Sequence, residues 1–489
     1  MPYAARLVLA ALAGLSVALG QSPWSMWPLA LFGLGSLLYL IAEASSARRG
    51  ALLAFVAGAA QFALAMNWIV APFFVEPELY GWMAPFALVF MAAGGGAFWA
   101  LPVWAALRLR AAPLPVLVLA LTLSDLARGY ILTGFPWALI GHIWIDTPVA
   151  QTAALVGPTG LSLLTLALAA CLAATLRRPV AAVPLVLGLA LTWGFGLWQL
   201  AQPMPMAPGL TLRLVQPNAA QSGKWDPSLA RLHFNTLLAA TSAEPRVDLV
   251  IWPETALPYL IEANPEVPGQ IAAASKGVPV MLGLQRVVGD RGWNSLRVQD
   301  GSGGLLASYD KHHLVPFGEY IPFGDLMYDW FGLTAFAAQL GKAYSAGQGA
   351  AVLDLGPLGK VVPLICYEAV FPQDLRAAPA RATWIVQVTN DAWFGPRSGP
   401  FQHAAQAQLR AIEQGLPLAR VANTGVTEMI DARGRVTASL PFGTAGHLDA
   451  ALPGSLPAPL YARWGEGPLA VLLGGLALWL FRARFFRSA

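Results

Sequence analysis

The sequence predicts a polytopic α-helical membrane domain of about eight transmembrane helices, combined with an α/β domain outside the lipid. Hydrophobic residues make up 56% of the 489 residues and charged residues 11%, whereas soluble proteins average about 25% charged. Eight apolar stretches come close to or exceed the roughly 20 residues that cross a bilayer. The long polar region between the seventh and eighth stretch alternates strand-like and helix-like patterns, which is typical of a layered α/β domain.

The apolar stretches set the predicted domain boundaries. Residues 1–205 form an N-terminal membrane domain with seven transmembrane helices, 206–456 a catalytic domain, and 457–489 a last transmembrane helix with a basic tail. The predicted spans are 4–20, 24–44, 51–73, 82–106, 113–130, 151–175, 179–200 and 466–481. The first span also resembles a secretory signal peptide, because Arg6 precedes an apolar run that ends in small residues. The second span follows so closely that a helical hairpin is favoured.

Arginines fix the predicted orientation of these spans. With eight crossings, ten arginines near the span ends all fall on one side: Arg6, Arg48, Arg49, Arg108, Arg110, Arg177, Arg178, Arg482, Arg484 and Arg487. The loops on the opposite side carry Glu76, Glu78 and Asp146 instead. Because an excess of Lys and Arg marks the cytoplasmic side, both termini are predicted to be cytoplasmic and the polar region lies outside the cytoplasm. The net charge of +4 is thus a topology signal and does not indicate nucleic-acid binding.

The polar region is predicted to contain strands and helices in alternation. Strand patterns occur at 210–217, 248–252, 279–288, 293–300, 309–316, 361–366, 383–389, 418–430 and 435–440, and helix patterns at 228–242 and 401–415. Short apolar strands bounded by turn residues are typical of buried sheets. In the membrane region, Asp125 and Arg128 stand three residues apart and are predicted to pair on one helix face.

Three polar side chains follow predicted strands and suggest acyl-transfer chemistry. Glu254 lies in WPETALP, Lys311 in YDKHHLVPFGEY and Cys366 in ICYEAV. A thiol with a pKa of about 8.5 needs a base or a cation to form its thiolate. A desolvated Glu254 suits the base, and Lys311 suits an oxyanion. Taken alone, Cys366 also fits a buried core cysteine, and Glu and Lys are usually solvated surface groups.

These segments resemble the carbon–nitrogen hydrolase (nitrilase) superfamily, whose catalytic residues are Glu, Lys and Cys in this chain order. Supporting matches are NDAWF at 390–394 and RVANTG at 420–425. With the flanking spans, TGFPW at 133–137 and PFGEY at 316–320, the chain resembles the apolipoprotein N-acyltransferase family almost from end to end. The resemblance implies a nitrilase-like α-β-β-α sandwich and the catalytic residues Glu254, Lys311 and Cys366. It also implies the supporting residues Glu319, Trp225, Tyr367, Glu368 and, more weakly, Asn294.

The resemblance further implies a two-step reaction at the periplasmic face of a bacterial inner membrane. Cys366 takes an acyl chain from a phospholipid donor as a thioester and passes it to the α-amine of a diacylglyceryl apolipoprotein acceptor. Two other functions fit the sequence less well. One is a membrane-anchored amidase in which water resolves the thioester. The other is a transporter or receptor with an inactive enzyme domain, although the spans carry few ionisable residues for a conduction path.

No cofactor and no metal are predicted. The sequence contains no Walker loop, nucleophile-elbow serine or dinucleotide fingerprint. The neighbouring His312 and His313 do not indicate a metal site, because adjacent residues on a strand point to opposite faces. The apolar segment 323–344, which includes Trp330 and Phe331, suggests a lid that dips into the outer leaflet; a packed loop is the alternative.

Overall fold

A computed structural model describes residues 1–108, 113–224, 226–324 and 343–485, and the chain divides into two compact units. The helical unit comprises Met1–Pro203, Arg397–Glu413 and Ala458–Ala489, and the α/β unit comprises Met204–Pro396 and Gln414–Pro457. The predicted boundaries near 205 and 456 remain predictions. Residues 397–413, which the sequence placed in the catalytic domain, group with the helical unit.

The structure has α-helices along the whole described chain, and those in its first half follow the predicted spans closely. They are α1 (Tyr3–Leu19), α2 (Trp27–Ala42), α3 (Ala47–Ala65), α4 (Pro77–Tyr80), α5 (Ala84–Arg108), α6 (Pro113–Arg128), α7 (Ala153–Thr175), α8 (Ala182–Ala201), α9 (Pro227–Ser242), α10 (Val267–Ser275), α11 (Pro372–Arg376), α12 (Gly399–Gln414), α13 (Leu460–Trp464) and α14 (Gly467–Phe485).

Several of these helices are long and apolar enough to cross a membrane. Within the described residues there are three such segments, Pro77–Arg108, Pro148–Thr175 and Pro179–Ala201. A fourth candidate is the pair Ala47–Ala65 and Asn67–Phe74, which bends by 46°. Shorter apolar helices occur at Tyr3–Leu19, Trp27–Ala42 and Gly467–Trp479. The polytopic helical character is therefore supported, whereas the number of about eight spans stays a prediction.

The predicted pair of Asp125 and Arg128 forms inside the helical unit. Arg128 Nη2 donates to Asp125 Oδ1 at 3.2 Å, and the other carboxylate oxygen accepts from the backbone N–H of Ile140 at 2.9 Å and from Ser162 Oγ at 2.8 Å. Arg128 also donates to the carbonyls of Phe135, Trp137 and Ala138. Since a buried charge is costly unless it is paired and hydrogen-bonded, this pair holds the loop after α6 against α6 and α7.

The α/β unit contains twelve described strands in two six-stranded sheets. They are β1 (Thr211–Gln216), β2 (Leu249–Ile251), β3 (Val280–Val288), β4 (Arg291–Gln299), β5 (Leu305–Asp310), β6 (Leu353–Asp354), β7 (Lys360–Ile365), β8 (Trp384–Thr389), β9 (Leu418–Ala422), β10 (Thr427–Ile430), β11 (Val436–Leu440) and β12 (Gly446–Ala451). The first sheet has the order β12-β1-β2-β3-β4-β5 and the second β11-β10-β9-β8-β7-β6.

One apolar core joins the inner faces of the two sheets. Leu214 and Ile251 from the first sheet belong to the same buried cluster as Ile365, Val388 and Met429 from the second. A separate cluster lies on the outer face of the first sheet, where Phe234 and Leu237 of α9 and Ile271 of α10 pack against Val250 and Leu282. The helices α9 and α10 on the outer face of the first sheet confirm the predicted layered α/β domain. The helix α12 falls within the helical unit.

Two predicted strands end differently in the structure. The strand predicted at 309–316 is found at Leu305–Asp310, so only Tyr309 and Asp310 of the predicted range belong to it. The N–H of Lys311 still donates to the carbonyl of Asn294 on β4, but those of His312 and His313 donate to the Glu368 carboxylate. Pro316 has no N–H to continue a ladder. The stretch 418–430 is two antiparallel strands, β9 and β10, with a turn between them. The prediction missed β6 and β12.

We expect Asp125→Ala to destabilise the helical unit, because it leaves Arg128 buried without its carboxylate. Breaking a buried ion pair from one side costs about 3–5 kcal/mol. Thermal unfolding of the purified protein in detergent measures the effect. Glu78→Ala, which removes an exposed carboxylate, should leave the unfolding temperature unchanged. Equal stability of the two variants would contradict the role of this pair.

Candidate active site

Cys366 lies directly after β7, at the end of the second sheet where parallel strands finish together. Ile365 pairs with Val388 of β8, and Thr389 pairs with Ala422 of β9, so the residues that follow these strands meet at one edge. Cys366 has a φ of +52° and is 6% exposed. A left-handed conformation is uncommon for a residue other than glycine and clusters at functional sites. The thiol is held by a constrained turn.

Glu254 lies three residues beyond β2, at the corresponding edge of the first sheet. The next residue, Thr255, has a φ of +44°, which is an outlier for a β-branched side chain. A Cβ at Gly283 would lie 2.3 Å from the carbonyl oxygen of Pro253 and 2.7 Å from Glu254 Cα. Only glycine therefore lets this chain cross β3 so closely, and the crossing directs Glu254 inward.

A hydrogen-bonded network links Glu254 with Lys311. The Asn294 side-chain amide donates to Glu254 Oε1 at 2.7 Å and to Glu319 Oε1 at 3.1 Å. Lys311 Nζ lies 2.8 Å from Glu319 Oε2 and 3.9 Å from Glu254 Oε1. The backbone N–H of Asn390, which follows β8, donates to Glu254 Oε2 at 2.8 Å. Residues from both sheets thus converge on a single carboxylate.

Burial and charge set the pKa values of the three predicted catalytic residues. Burial raises the pKa of Glu254, and Glu319 adds to this rise while Lys311 opposes it. Burial alone would lower the pKa of Lys311, but Glu319 and Glu254 raise it, so the ammonium stays charged. Burial and then Glu254 raise the pKa of Cys366, against the lowering effect of Lys311 and a hydrogen bond with Thr389. These influences favour the neutral thiol, so a nearby base is needed to form the thiolate.

The predicted supporting residue Glu368 ties the turn at Cys366 to the segment after Lys311. Its Oε2 accepts from the backbone N–H of Ile365 at 2.7 Å, and its Oε1 accepts from Tyr309 Oη at 2.8 Å and from the backbone N–H of His312 at 2.8 Å. The side chain is fully buried. A carboxylate that accepts from both segments fixes the position of the thiol relative to the ammonium.

His312 and His313 do not lie on a strand, so the prediction that their side chains point to opposite faces of a strand is wrong. Both rings contact Asp374 Oδ2, His313 Nδ1 at 2.9 Å and His312 Nε2 at 3.6 Å. Burial would lower the pKa of His312, but Asp374 and Glu368 raise it to about 10. Tyr367 packs edge-on against Phe371 and His313. The rings of Tyr367, Phe371 and His313 pack together beside the Cys366 turn.

Three residues named from the sequence lie outside the described residues: Trp225, Trp330 and Phe331. The proposed lid at 323–344 falls almost entirely there as well. These assignments stay predictions.

The site includes one residue that the sequence argument missed. Lys224 is 5% exposed, and its Nζ donates to the carbonyl of Glu254 at 3.2 Å and to Thr255 Oγ1 at 2.8 Å. Burial lowers its pKa to about 8, although Glu254 and Cys366 act in the opposite direction. Lysine is rare in this chain, with five in 489 residues, and this rarity is the sequence signal that could have drawn attention to Lys224.

The fold and the site define a carbon–nitrogen hydrolase domain. The family model described as carbon-nitrogen hydrolase matches residues 211–457, just over half of the chain. A structure of an amidase from the nitrilase superfamily of Nesterenkonia is 18% identical with a TM-score of 0.40, covering 55% of this chain and 99% of the amidase.

The rest of the chain narrows the family. Residues 13–171 match the N-terminal domain model of apolipoprotein N-acyltransferase. The apolipoprotein N-acyltransferase of Bradyrhizobium diazoefficiens is 36% identical over 98% of this chain and 95% of its own length. That of Rhodopseudomonas palustris is 36% identical over 96% and 93%. The chain therefore belongs to the apolipoprotein N-acyltransferase family and is an N-acyltransferase.

We expect Glu368→Gln to destabilise the protein and to disturb the Cys366 turn, because an amide cannot accept from both segments as the carboxylate does. Hydrogen bonds to charged groups contribute about 1.5–3 kcal/mol each, and a buried donor left unpaired costs about 1–3 kcal/mol. Unfolding experiments and the rate of Cys366 alkylation by iodoacetamide measure both effects. Glu266→Gln on the surface is the control, and identical behaviour of the two variants would refute the role of Glu368.

Proposed function

We propose that the protein transfers an acyl chain from a phospholipid to the N-terminal α-amine of a diacylglyceryl-cysteine lipoprotein in two steps, by way of a thioester on Cys366. The observation that carries this proposal is the buried set of Glu254, Lys311 and Cys366 in a member of this family. The Glu254 and Glu319 carboxylates each lie within 4 Å of the Lys311 ammonium, and the charges of Glu254 and Lys311 both act on the Cys366 thiol.

In the first step Glu254 takes the proton of the Cys366 thiol, and the sulfur attacks the ester carbonyl of the phospholipid. The negative charge that develops on the carbonyl oxygen is stabilised by the Lys311 ammonium. When the tetrahedral intermediate collapses, the ester C–O bond breaks and Glu254 returns the proton to the leaving alkoxide. The products of this step are the thioester and a lysophospholipid.

In the second step the α-amine of the lipoprotein attacks the thioester carbonyl. Glu254 accepts a proton from the amine, the C–S bond breaks, and the proton passes to the departing Cys366 thiolate. The amide product leaves, and the thiol and carboxylate are restored. One base therefore serves both half-reactions, as the general logic of covalent catalysis requires.

The location of the site follows from the arginine pattern. With cytoplasmic arginines at the span ends, the domain 206–456 lies on the periplasmic side of a bacterial inner membrane, and both termini are cytoplasmic. This side suits a lipid donor in the outer leaflet. The alternative is a membrane-anchored amidase that releases the acyl group to water; the large apolar helical unit favours a lipid substrate, since a soluble amide needs one anchor at most.

We expect the purified protein to acquire a hydroxylamine-sensitive acyl adduct when it is incubated with a phospholipid labelled in its acyl chain. The adduct should be absent in Cys366→Ser, because the thioester cannot form. Cys171→Ser is the matched control, since it removes the other cysteine and should retain the adduct. An adduct that depends on Cys171, or that persists at full level in Cys366→Ser, would overturn the assignment.

Adding a diacylglyceryl-cysteine peptide to the acylated protein distinguishes the transferase from the amidase. The transferase should pass the label to the peptide, whereas the same peptide with an acetylated N-terminus should leave the adduct intact, because it has no free amine. Release of labelled fatty acid at one rate with either peptide would favour the amidase. Mass spectrometry of the peptide and the free acid measures both outcomes.

A further inference from the structure

We propose that Lys224 is a positioning residue of the active site: its ammonium fixes the strained backbone at Glu254 and balances the charge of the buried carboxylates so that Glu254 stays ionised as the base. This role deepens the proposed acyl transfer and rests on Glu254 and Cys366 acting there. Four observations carry it.

The contacts of Lys224 are to the base segment itself. Nζ donates to the carbonyl oxygen of Glu254 and to the hydroxyl of Thr255. Lys224 follows a short 3₁₀ turn, Gln221–Gly223, whereas Glu254 follows β2, so the contact joins two distant segments of the chain. Since a buried ammonium must be hydrogen-bonded, these acceptors hold Lys224 in place as much as it holds them.

The backbone that Lys224 contacts is strained. Thr255 has a φ of +44°, and the segment crosses Gly283 with no space for a side chain there. Such conformations are energetically costly and persist only where the surroundings enforce them. Lys224 donates hydrogen bonds to Glu254 and Thr255, the residues on either side of this peptide bond. These hydrogen bonds are positioned to enforce the strained conformation.

The charge balance of the site requires a second cation. Glu254 and Glu319 are both buried, and Lys311 alone leaves them with a net charge of −1. The other buried carboxylates nearby have partners of their own: Asp391 pairs with Arg420, and Glu368 accepts from His312. A buried uncompensated charge is expensive, and Lys224 brings the set to neutrality.

The pKa values agree with this arrangement. The Lys224 ammonium lowers the pKa of Glu254 against the rise caused by burial. Conversely, burial lowers the pKa of Lys224 to about 8, and Glu254 and Cys366 oppose that effect. Lys224 is therefore charged below about pH 8. His233 of α9 lines the same small cavity as Lys224, Thr255 and Asn423.

The test measures alkylation of Cys366 by iodoacetamide as a function of pH, in the full-length protein carrying Cys171→Ser. This reaction requires no phospholipid, so its outcome is independent of whether the proposed acyl transfer is correct. In Lys224→Gln the pH at which alkylation rises should move upward, because loss of the ammonium removes one of the influences that lower the pKa of Glu254. Acylation by phospholipid at pH 7 should fall at least tenfold.

Two further variants separate the charge effect from a loss of folding. Lys224→Arg keeps the charge, so its alkylation should rise over the same acidic pH range as that of the parent. Lys276→Gln removes an exposed lysine paired with Glu244 and should match the parent. An unchanged profile in a folded Lys224→Gln overturns the proposal. If that variant does not fold, Lys224→Arg decides: arginine keeps the positive charge, so an alkylation profile of folded Lys224→Arg that is shifted upward overturns the proposal.

Discussion

The active site depends on placing one carboxylate, Glu254, between two sheets. One of its oxygens accepts from Asn294 on the first sheet and the other from the backbone of Asn390 at the end of the second. The two hydrogen bonds connect the edges at which the strands end. Because each donor stands on a strand or at its end, packing of the sheets sets the position of the proposed base. Loss of sheet register would therefore disrupt the chemistry directly, without any change in the residues that perform it.

Backbone strain and buried charge are linked in this arrangement. The turns at Cys366 and Thr255 both have positive φ angles, and each is bound by a charged side chain that is itself buried. Glu368 binds the Cys366 turn through the N–H of Ile365, and Lys224 binds the Thr255 turn through the carbonyl of Glu254. Charged hydrogen bonds are about twice as strong as neutral ones, which suits them to hold conformations that the backbone disfavours.

The sequence predicted the parts of this molecule that rest on local pattern. Apolar length predicted the helices, and alternating short apolar runs predicted β7 and β8 with Cys366 after β7. The sequence indicated Glu319 and Glu368 only through the family resemblance, since no local pattern distinguishes a buried carboxylate from an exposed one. The end of β5 was missed because it depends on Glu368, a residue 58 positions beyond Asp310. Lys224 was missed for the same reason, as its contacts are with residues about 30 positions away.

A base that acts in two successive half-reactions must release its proton as readily as it accepts it. Burial and the neighbouring Glu319 favour the neutral form of Glu254, whereas the Lys311 and Lys224 ammonium groups and the hydrogen bond from Asn294 favour the anion. Either influence alone would hold the residue in one state: a dry apolar pocket would keep it protonated, and a fully compensated ion pair would keep it ionised. Because burial and the neighbouring positive charges act on the Glu254 carboxylate together, its pKa moves toward the working pH, where general bases are most effective. The ammonium of Lys311 is bound mainly by Glu319 at 2.8 Å and lies farther from Glu254 at 3.9 Å. Because Glu319 holds the ammonium, Glu254 forms no tight ion pair with Lys311, and in the proposed reaction its carboxylate is free to take a proton.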